Sequence, residues 1–242
     1  MGEVIRHGNE AIRHGLDHLA ETVADVKPKL RGWLHLATAP LTLAAGIVLI
    51  VLSPTTETRV GSALFVGSAV VLFSVSAIYH RGTWSPRVWA FLRRFDHSNI
   101  FLLIAGSYTP FALVLLEGTQ RTLLLSVVWT GAVLGVLFRV FWVGAPRWLY
   151  TPIYIALGWA AVFFIPGFAA GAQELGVGTG TAVLVLIIVG GGLYTLGGVV
   201  YAFRRPDPSP RWFGFHEVFH SFTILAFASH YVGVSLATYA LR

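Results

Sequence analysis

Seven long apolar stretches dominate this chain of 242 residues. A helix needs about 20 mostly apolar residues to cross the hydrocarbon core of a bilayer. Seven windows have that length: 33–53, 60–80, 97–117, 122–143, 150–171, 181–203 and 215–239. Each is too long for a barrel strand, and a backbone in lipid must satisfy its own hydrogen bonds. The sequence therefore predicts an all-α bundle of seven transmembrane helices.

The composition agrees with a membrane protein. Hydrophobic residues make up 55% of the chain and charged residues only 12%, whereas about a quarter of a soluble domain is charged. The net charge of +6 comes from basic residues spread over short loops between the windows. Because they form no basic domain, we expect no nucleic-acid partner.

The basic residues also predict the orientation of the bundle. If the N-terminus is inside, only Arg59, Arg121 and Arg242 of the 17 lysines and arginines lie outside, which leaves 14 on the cytoplasmic side. Such an asymmetry sets the topology of membrane proteins. We therefore predict a cytoplasmic N-terminus and an external C-terminus.

Residues 1–31 form a segment separate from the seven-helix domain, which covers residues 32–242. Apolar residues recur in this segment at spacings of three, four and seven: Ile5, Ile12, Leu16, Leu19, Val23 and Val26. This spacing predicts an amphipathic helix on the cytoplasmic membrane surface. Its histidines, His7, His14 and His18, are interpreted as facing solvent or headgroups.

The ionisable residues at membrane depth point to a metal site. The chain has no cysteine, so a transition metal must be bound by histidine, carboxylate and water. Ionisable residues are energetically costly inside a membrane and usually have a function there. The topology places four of them at the cytoplasmic ends of three spans: His80, Asp96, His216 and His220. They can therefore occupy one layer of the bundle.

The spacing assigns roles within this layer. His216 and His220 are four residues apart and share one helix face, and His80 can supply a third ligand. Three protein ligands with an open fourth position are typical of catalytic zinc. Asp96 can act as the general base, and Ser76, one turn before His80, fits a supporting hydroxyl.

Residues 216–220, HEVFH, also fit the H-E-x-x-H pattern of zinc peptidases, in which Glu217 would activate water. Such an enzyme usually needs a further acidic ligand downstream, and no Asp or Glu follows Glu217. We therefore disfavour a peptidase and prefer Asp96 as the base. A retinal protein is excluded because both lysines, Lys27 and Lys29, precede the first window.

Three other histidines lie within the windows. His35 can either contact the site or simply sit at the interface. His97 points about 100° away from its neighbour Asp96 and is interpreted as structural. His230 is ten residues beyond His220, about 15 Å along the helix, so it cannot bind the same ion. It can line a cavity or bond to a neighbouring helix.

Three motifs carry a resemblance to a known family: SAIYH (76–80), RFDHSNIFLLIAGSYTPF (94–111) and HEVFHSFTILAFASHY (216–231). Together they resemble the hemolysin III family, within the superfamily of progestin and adiponectin receptors and alkaline ceramidases. The similarity covers about residues 31–241. One departure lies at the first span, where relatives often carry Glu and Asn and this chain has Pro28 and Arg31 in PKLRGWLH.

The resemblance implies a zinc ion near the cytoplasmic side of a bacterial plasma membrane, bound by His80, His216 and His220. It implies that Asp96 reaches the zinc through water and that Ser76 belongs to the same cluster. Three functions stay open. They are a zinc-dependent hydrolase of a membrane lipid amide or ester, a receptor-like or homeostatic protein with a structural zinc, and a pore-forming haemolysin. The pore ranks lowest because the spans lack a continuous polar face.

Overall fold

The computed structural model describes residues 28–142 and 144–242. Over these residues the chain folds into eight α-helices and one 3₁₀ helix, without a β-strand. The helices are α1 (Trp33–Leu52), α2 (Thr56–Arg81), α3 (Pro86–Leu115), α4 (Gly118–Phe141), α5 (Arg147–Gly158), the 3₁₀ helix (Ala160–Phe164), α6 (Ile165–Glu174), α7 (Val177–Phe203) and α8 (Phe215–Tyr239). Seven segments are long and apolar enough to cross a membrane, which confirms the predicted architecture.

The fifth crossing differs from the prediction, because it is broken rather than continuous. It runs over Arg147–Glu174 and contains α5, the 3₁₀ helix and α6. Pro166 is the second residue of α6, and a proline has no N–H to bond the preceding turn. The regular helix is therefore interrupted just before it.

The third helix begins 11 residues before the predicted start at 97, since α3 starts at Pro86. Arg93, Arg94 and Asp96 lie in its first turns and lower the hydropathy there without preventing a helix. Pro86 itself suits the first helical position, where no N–H donor is needed. The longer helix carries Asp96 on a rigid element.

α3 is the centre of the bundle, with 72% of its span buried, more than any other span described. It packs against α2 and α4 and also contacts α5, α6 and α8. α1 packs against α2 and α8 and so closes the bundle. Large apolar side chains on the outer surface, such as Leu41 and Ile188, are 68% and 72% exposed, as a lipid-facing surface requires.

The predicted amphipathic helix over residues 5–26, with His7, His14 and His18, lies outside the described residues. The structure describes the chain from Pro28 onward. The first described residues form backbone hydrogen bonds with the loop between α7 and α8. The Lys29 N–H donates to the Arg211 carbonyl at 3.0 Å, and the Leu30 N–H donates to the Trp212 carbonyl at 3.2 Å. The boundary between an N-terminal segment (residues 1–31) and the seven-helix domain (residues 32–242) stays a prediction. The orientation of the bundle in the membrane also stays a prediction.

Candidate metal centre

Three histidines from two helices meet inside one end of the bundle. His80 lies in the last turn of α2, and His216 and His220 lie in the first two turns of α8. Each offers a ring nitrogen, and these three nitrogens lie within 4.8 Å of one another. We call these residues the histidine triad. The structure thus brings together the three ligands that the sequence predicted.

The triad has the geometry and burial of a metal site. The Nε2 atoms of His80 and His216 are 3.1 Å apart. Two nitrogens bound to one tetrahedral zinc at 2.0–2.1 Å lie about 3.3 Å apart, so this pair matches. His220 is only 2% exposed, and its Nδ1 has no hydrogen-bond partner among the described residues. The residues therefore fit a divalent cation such as zinc.

Gly32 lets the start of α1 approach the triad. Its φ is +82°, a left-handed conformation that residues with side chains rarely adopt. A Cβ atom added to Gly32 would lie 2.9 Å from the His80 Cβ. The glycine therefore allows a backbone turn directly against the ligand-bearing end of α2.

Asp96 and Ser76 border the triad, as predicted. The Asp96 Oδ2 lies 3.9 Å from the Nε2 of His80 and 3.9 Å from the Nδ1 of His97. The Ser76 hydroxyl is fully enclosed and interacts with the Asp96 carboxyl group. A carboxylate and a hydroxyl therefore accompany the histidines, on the face of the site formed by α2 and α3.

His35 contacts the site, which decides between the two alternatives left open for it. Its ring is stacked on that of His220, with centroids 3.8 Å apart and an angle of 14° between the planes. It also meets the edge of Phe73 at 5.0 Å. Neither His35 nitrogen has a hydrogen-bond partner in the described part of the chain. His35 is therefore a packing neighbour of a ligand and lies outside the triad itself.

Glu217 does not belong to the histidine triad. It is completely buried, and one carboxylate oxygen forms an ion pair with the Arg31 Nε. The other accepts a hydrogen bond from the Gly214 N–H at 2.8 Å, which caps the start of α8. The acidic residue of the H-E-x-x-H pattern thus anchors α8 to the chain before α1. The residue pairing with it is Arg31, which precedes α1.

His97 and His230 both lie outside the triad, although His97 stays within 3.9 Å of the Asp96 carboxylate. The His97 Nδ1 lies 2.7 Å from the Arg93 carbonyl, and its Nε2 lies 3.3 Å from the Tyr201 hydroxyl. The His230 Nε2 lies 3.4 Å from the Ile187 carbonyl, so this ring bonds to the neighbouring α7. Gly190 makes room for it, since an added Cβ would lie 2.2 Å from the His230 ring.

Two arginines with buried contacts, Arg31 and Arg139, were not predicted as part of the site. Arg31 forms the ion pair with Glu217. Arg139 is 1% exposed and lies inside the bundle rather than at its surface. An arginine in a run as apolar as LFRVFW was the available signal, because charge at membrane depth is costly.

The fold and the site together define a seven-helix membrane protein with a buried histidine triad at one end. A sequence model of the family described as "Haemolysin-III related" matches residues 24–231. The chain therefore belongs to the haemolysin-III related family, and it is an integral membrane protein.

Relatives from bacteria and animals support this assignment. The chain is 30% identical over 189 residues to "Hemolysin-3" of Bacillus cereus, covering 77% of this chain and 80% of that protein. It is 31% identical over 161 residues to "Hemolysin-3 homolog" of Bacillus subtilis (strain 168), covering 66% and 69%. The match to "Adiponectin receptor protein" of Drosophila melanogaster is 30% identical over 198 residues, and covers 75% of this chain but 43% of the receptor.

Proposed function

We propose that this protein is a zinc-dependent hydrolase of a membrane lipid amide or ester, acting beside the histidine triad. The observation that carries the proposal is the Asp96 carboxylate, 3.9 Å from the His80 Nε2 and next to the Ser76 hydroxyl. A structural zinc needs no acid–base group beside it, whereas hydrolysis does. The substrate lies between the helices, and its scissile carbonyl reaches the triad.

The roles of the residues follow from their chemistry. His80, His216 and His220 would hold the zinc, which supplies Lewis acidity and activates water at neutral pH. Asp96 accepts a proton from the attacking water and returns it to the leaving amine or alcohol when the carbonyl carbon loses that group. Once Asp96 has accepted this proton, its carboxyl group no longer needs the Ser76 hydroxyl hydrogen, which then donates to the substrate carbonyl oxygen and stabilises its charge.

We also propose which membrane holds the protein and which side of that membrane the triad faces. The chain lies in the plasma membrane of a bacterium with the triad near the cytoplasmic face, in agreement with the excess of basic residues at that end. The lipid enters laterally from the bilayer. Membrane lipids are therefore its partners.

The test compares the purified wild type with Asp96→Asn on short-chain ceramide and carboxylic ester substrates in mixed micelles. We expect Asp96→Asn to keep one zinc per chain and to lose at least a hundredfold in turnover, the usual contribution of acid–base catalysis. Glu57→Gln is the matched control, because Glu57 is an acid whose side chain is 66% exposed at the start of α2. Unchanged turnover in Asp96→Asn would remove Asp96 from the mechanism.

A receptor-like or homeostatic role with a structural zinc is the second candidate. It is favoured by the packing, because the triad joins α2 and α8, whose backbones come close at few points. The Phe227 ring of α8 packs against Phe65 and Phe73 of α2, and a zinc ion would add a second link between the two helices. Under this reading, removing the metal lowers the melting temperature, while no lipid is hydrolysed before or after.

A further inference from the structure

One buried arginine, Arg139, has no acidic partner among the residues that the structure describes. Arg139, in the last turn of α4, is 1% exposed. Its Nε and Nη1 atoms have no hydrogen-bond partner among residues 28–142 and 144–242, and its guanidinium lies 4.4 Å from the centre of the Tyr150 ring. A buried charge is costly unless it is paired, so this group favours binding of an anion.

A second arginine faces the same cluster from the other side of the α4–α5 turn. Arg147 is the first residue of α5, and its guanidinium lies 4.9 Å from the centre of the Tyr201 ring. Its Nη1 is also buried without a partner within the described ranges. The hydroxyls of Tyr150 and Tyr201 lie 3.1 Å apart and link the two rings. We call Arg139, Arg147, Tyr150 and Tyr201 the arginine site.

The acidic residues near the triad do not neutralise these arginines. In the described part of the chain, every ion pair involves Glu217, Asp96 or Glu57, and none includes Arg139 or Arg147. The arginine site therefore offers several unused donors and two positive charges to one ligand. Arginine is the residue best suited to phosphate, because its planar fork of N–H donors matches the phosphate oxygens.

An apolar groove lies along the same pair of helices. It is a cavity of about 510 Å³ between α4 and the fifth crossing, lined by Leu123, Val127, Gly131, Leu157 and Phe163 among others. Phe163 is 85% exposed and Leu123 is 53% exposed, so the groove opens to the lipid-facing surface. Eight residues separate Gly131 from Arg139 on α4, which is a rise of about 12 Å and a rotation of about 80° around the helix axis. Arg139 therefore lies on the buried face of α4, and a lipid with its acyl chain in the groove must reach around the edge of this helix to place its headgroup at the arginine site.

We propose that the α4–α5 seam binds an anionic phospholipid, with the phosphate at the arginine site and an acyl chain in the groove. The two guanidinium groups form no ion pair with a described residue and select negative charge, and the groove selects a lipid over a free anion. This binding goes beyond the proposed hydrolysis. It is measured without turnover and requires no metal at the triad.

The test is native mass spectrometry of the purified full chain, with melting temperature as a second readout. The probes are phosphatidylglycerol, phosphatidylcholine with the same acyl chains, and inorganic phosphate. We expect the wild type to bind phosphatidylglycerol at least tenfold more tightly than phosphatidylcholine, and to be stabilised by it. Inorganic phosphate alone should give less than a tenth of the stabilisation at equal concentration. Equal binding of the two lipids, or equal protection by phosphate, would overturn the proposal.

Three variants locate the site. Arg139→Gln and Arg147→Gln should each reduce the preference for phosphatidylglycerol about tenfold. Because Arg147 is only half-buried, Arg147→Gln still tests the site if Arg139→Gln fails to fold. Arg87→Gln is the matched control, because Arg87 is an exposed arginine at the same end of the bundle. An equal loss in Arg87→Gln would show that surface charge explains the binding and would overturn the site.

Gly131→Leu tests the groove separately from the charge. A Cβ on Gly131 would lie 2.6 Å from the tip of Leu157, so a leucine there fills the space between α4 and α5. We expect it to weaken phosphatidylglycerol binding at least fivefold with both arginines intact. Unchanged affinity in a folded Gly131→Leu protein would contradict the position of the acyl chain.

Discussion

The ion pair between Arg31 and Glu217 gives a sharp test of how α8 is held. In the substitution Glu217→Gln, the side chain keeps its shape and an oxygen that can accept the Gly214 N–H, but it loses the negative charge facing Arg31. The change lies between two triad ligands, His216 and His220, without altering either. It therefore separates a structural role of Glu217 from a role in chemistry.

The expected cost follows from the burial of the two partners. Removing one member of a buried pair costs about 3–5 kcal/mol, because the other charge stays buried and unpaired. Glu217 is fully buried, but the Arg31 side chain is 18% exposed and keeps some contact with water. We therefore expect the lower end, about 3 kcal/mol of unfolding free energy. For a chain of this size that is a fall of roughly 6–12 °C in melting temperature.

The assay is thermal unfolding in detergent, together with zinc content, for Glu217→Gln, Arg31→Gln and the double variant. The double variant should lose about 2 kcal/mol less than the sum of the single variants, since the two residues contact each other directly. Zinc should stay at one per chain in all three. A melting temperature unchanged within about 2 °C, or a loss of zinc without a loss of stability, would refute this reasoning.

The remaining predictions concern packing and conduction. His35→Leu should raise the melting temperature, because a buried ring with two unbonded nitrogens costs about 1–3 kcal/mol; a fall would reveal a hydrogen bond to His35. Gly190→Ala should lower the free energy of unfolding by about 1–3 kcal/mol, because the added methyl group clashes with His230. Gly191→Ala is the control and should be neutral or stabilising, because the space around its added Cβ is open. Equal effects of the two substitutions would contradict the close contact between Gly190 and His230. Bilayers containing the protein should conduct ions no better than lipid-only bilayers, because the spans are largely apolar. Conductance well above that control would instead support the pore-forming haemolysin.

The sequence predicted the number of spans well, because hydropathy depends only on the local run of residues. It misplaced the start of α3, since Arg93, Arg94 and Asp96 lower the hydropathy of a segment that is nevertheless helical. It also missed the 3₁₀ break at Ala160–Phe164. The residues that leave the regular helix there depend on packing against neighbouring helices.

The triad was also predictable, because local spacing and the predicted topology were enough to bring its residues together. His216 and His220 share a face by spacing alone, and the common depth of His80 and Asp96 followed from the topology. The contacts of Arg31 with Glu217 and of His35 with His220 join the first span to the last, 186 and 185 residues along the chain. No local pattern encodes which faces of such distant helices meet. The surroundings of Arg139 likewise depend on what every neighbouring helix places around it.

The central claim is that the histidine triad binds one divalent cation, and metal analysis of the purified protein tests it most directly. We expect about one zinc per chain in the wild type, less than a tenth of that in His220→Ala, and the wild-type amount in His230→Gln, which alters a buried histidine of the same helix outside the triad. A wild-type protein with no bound metal, or a His220→Ala protein that keeps its zinc, would contradict the account.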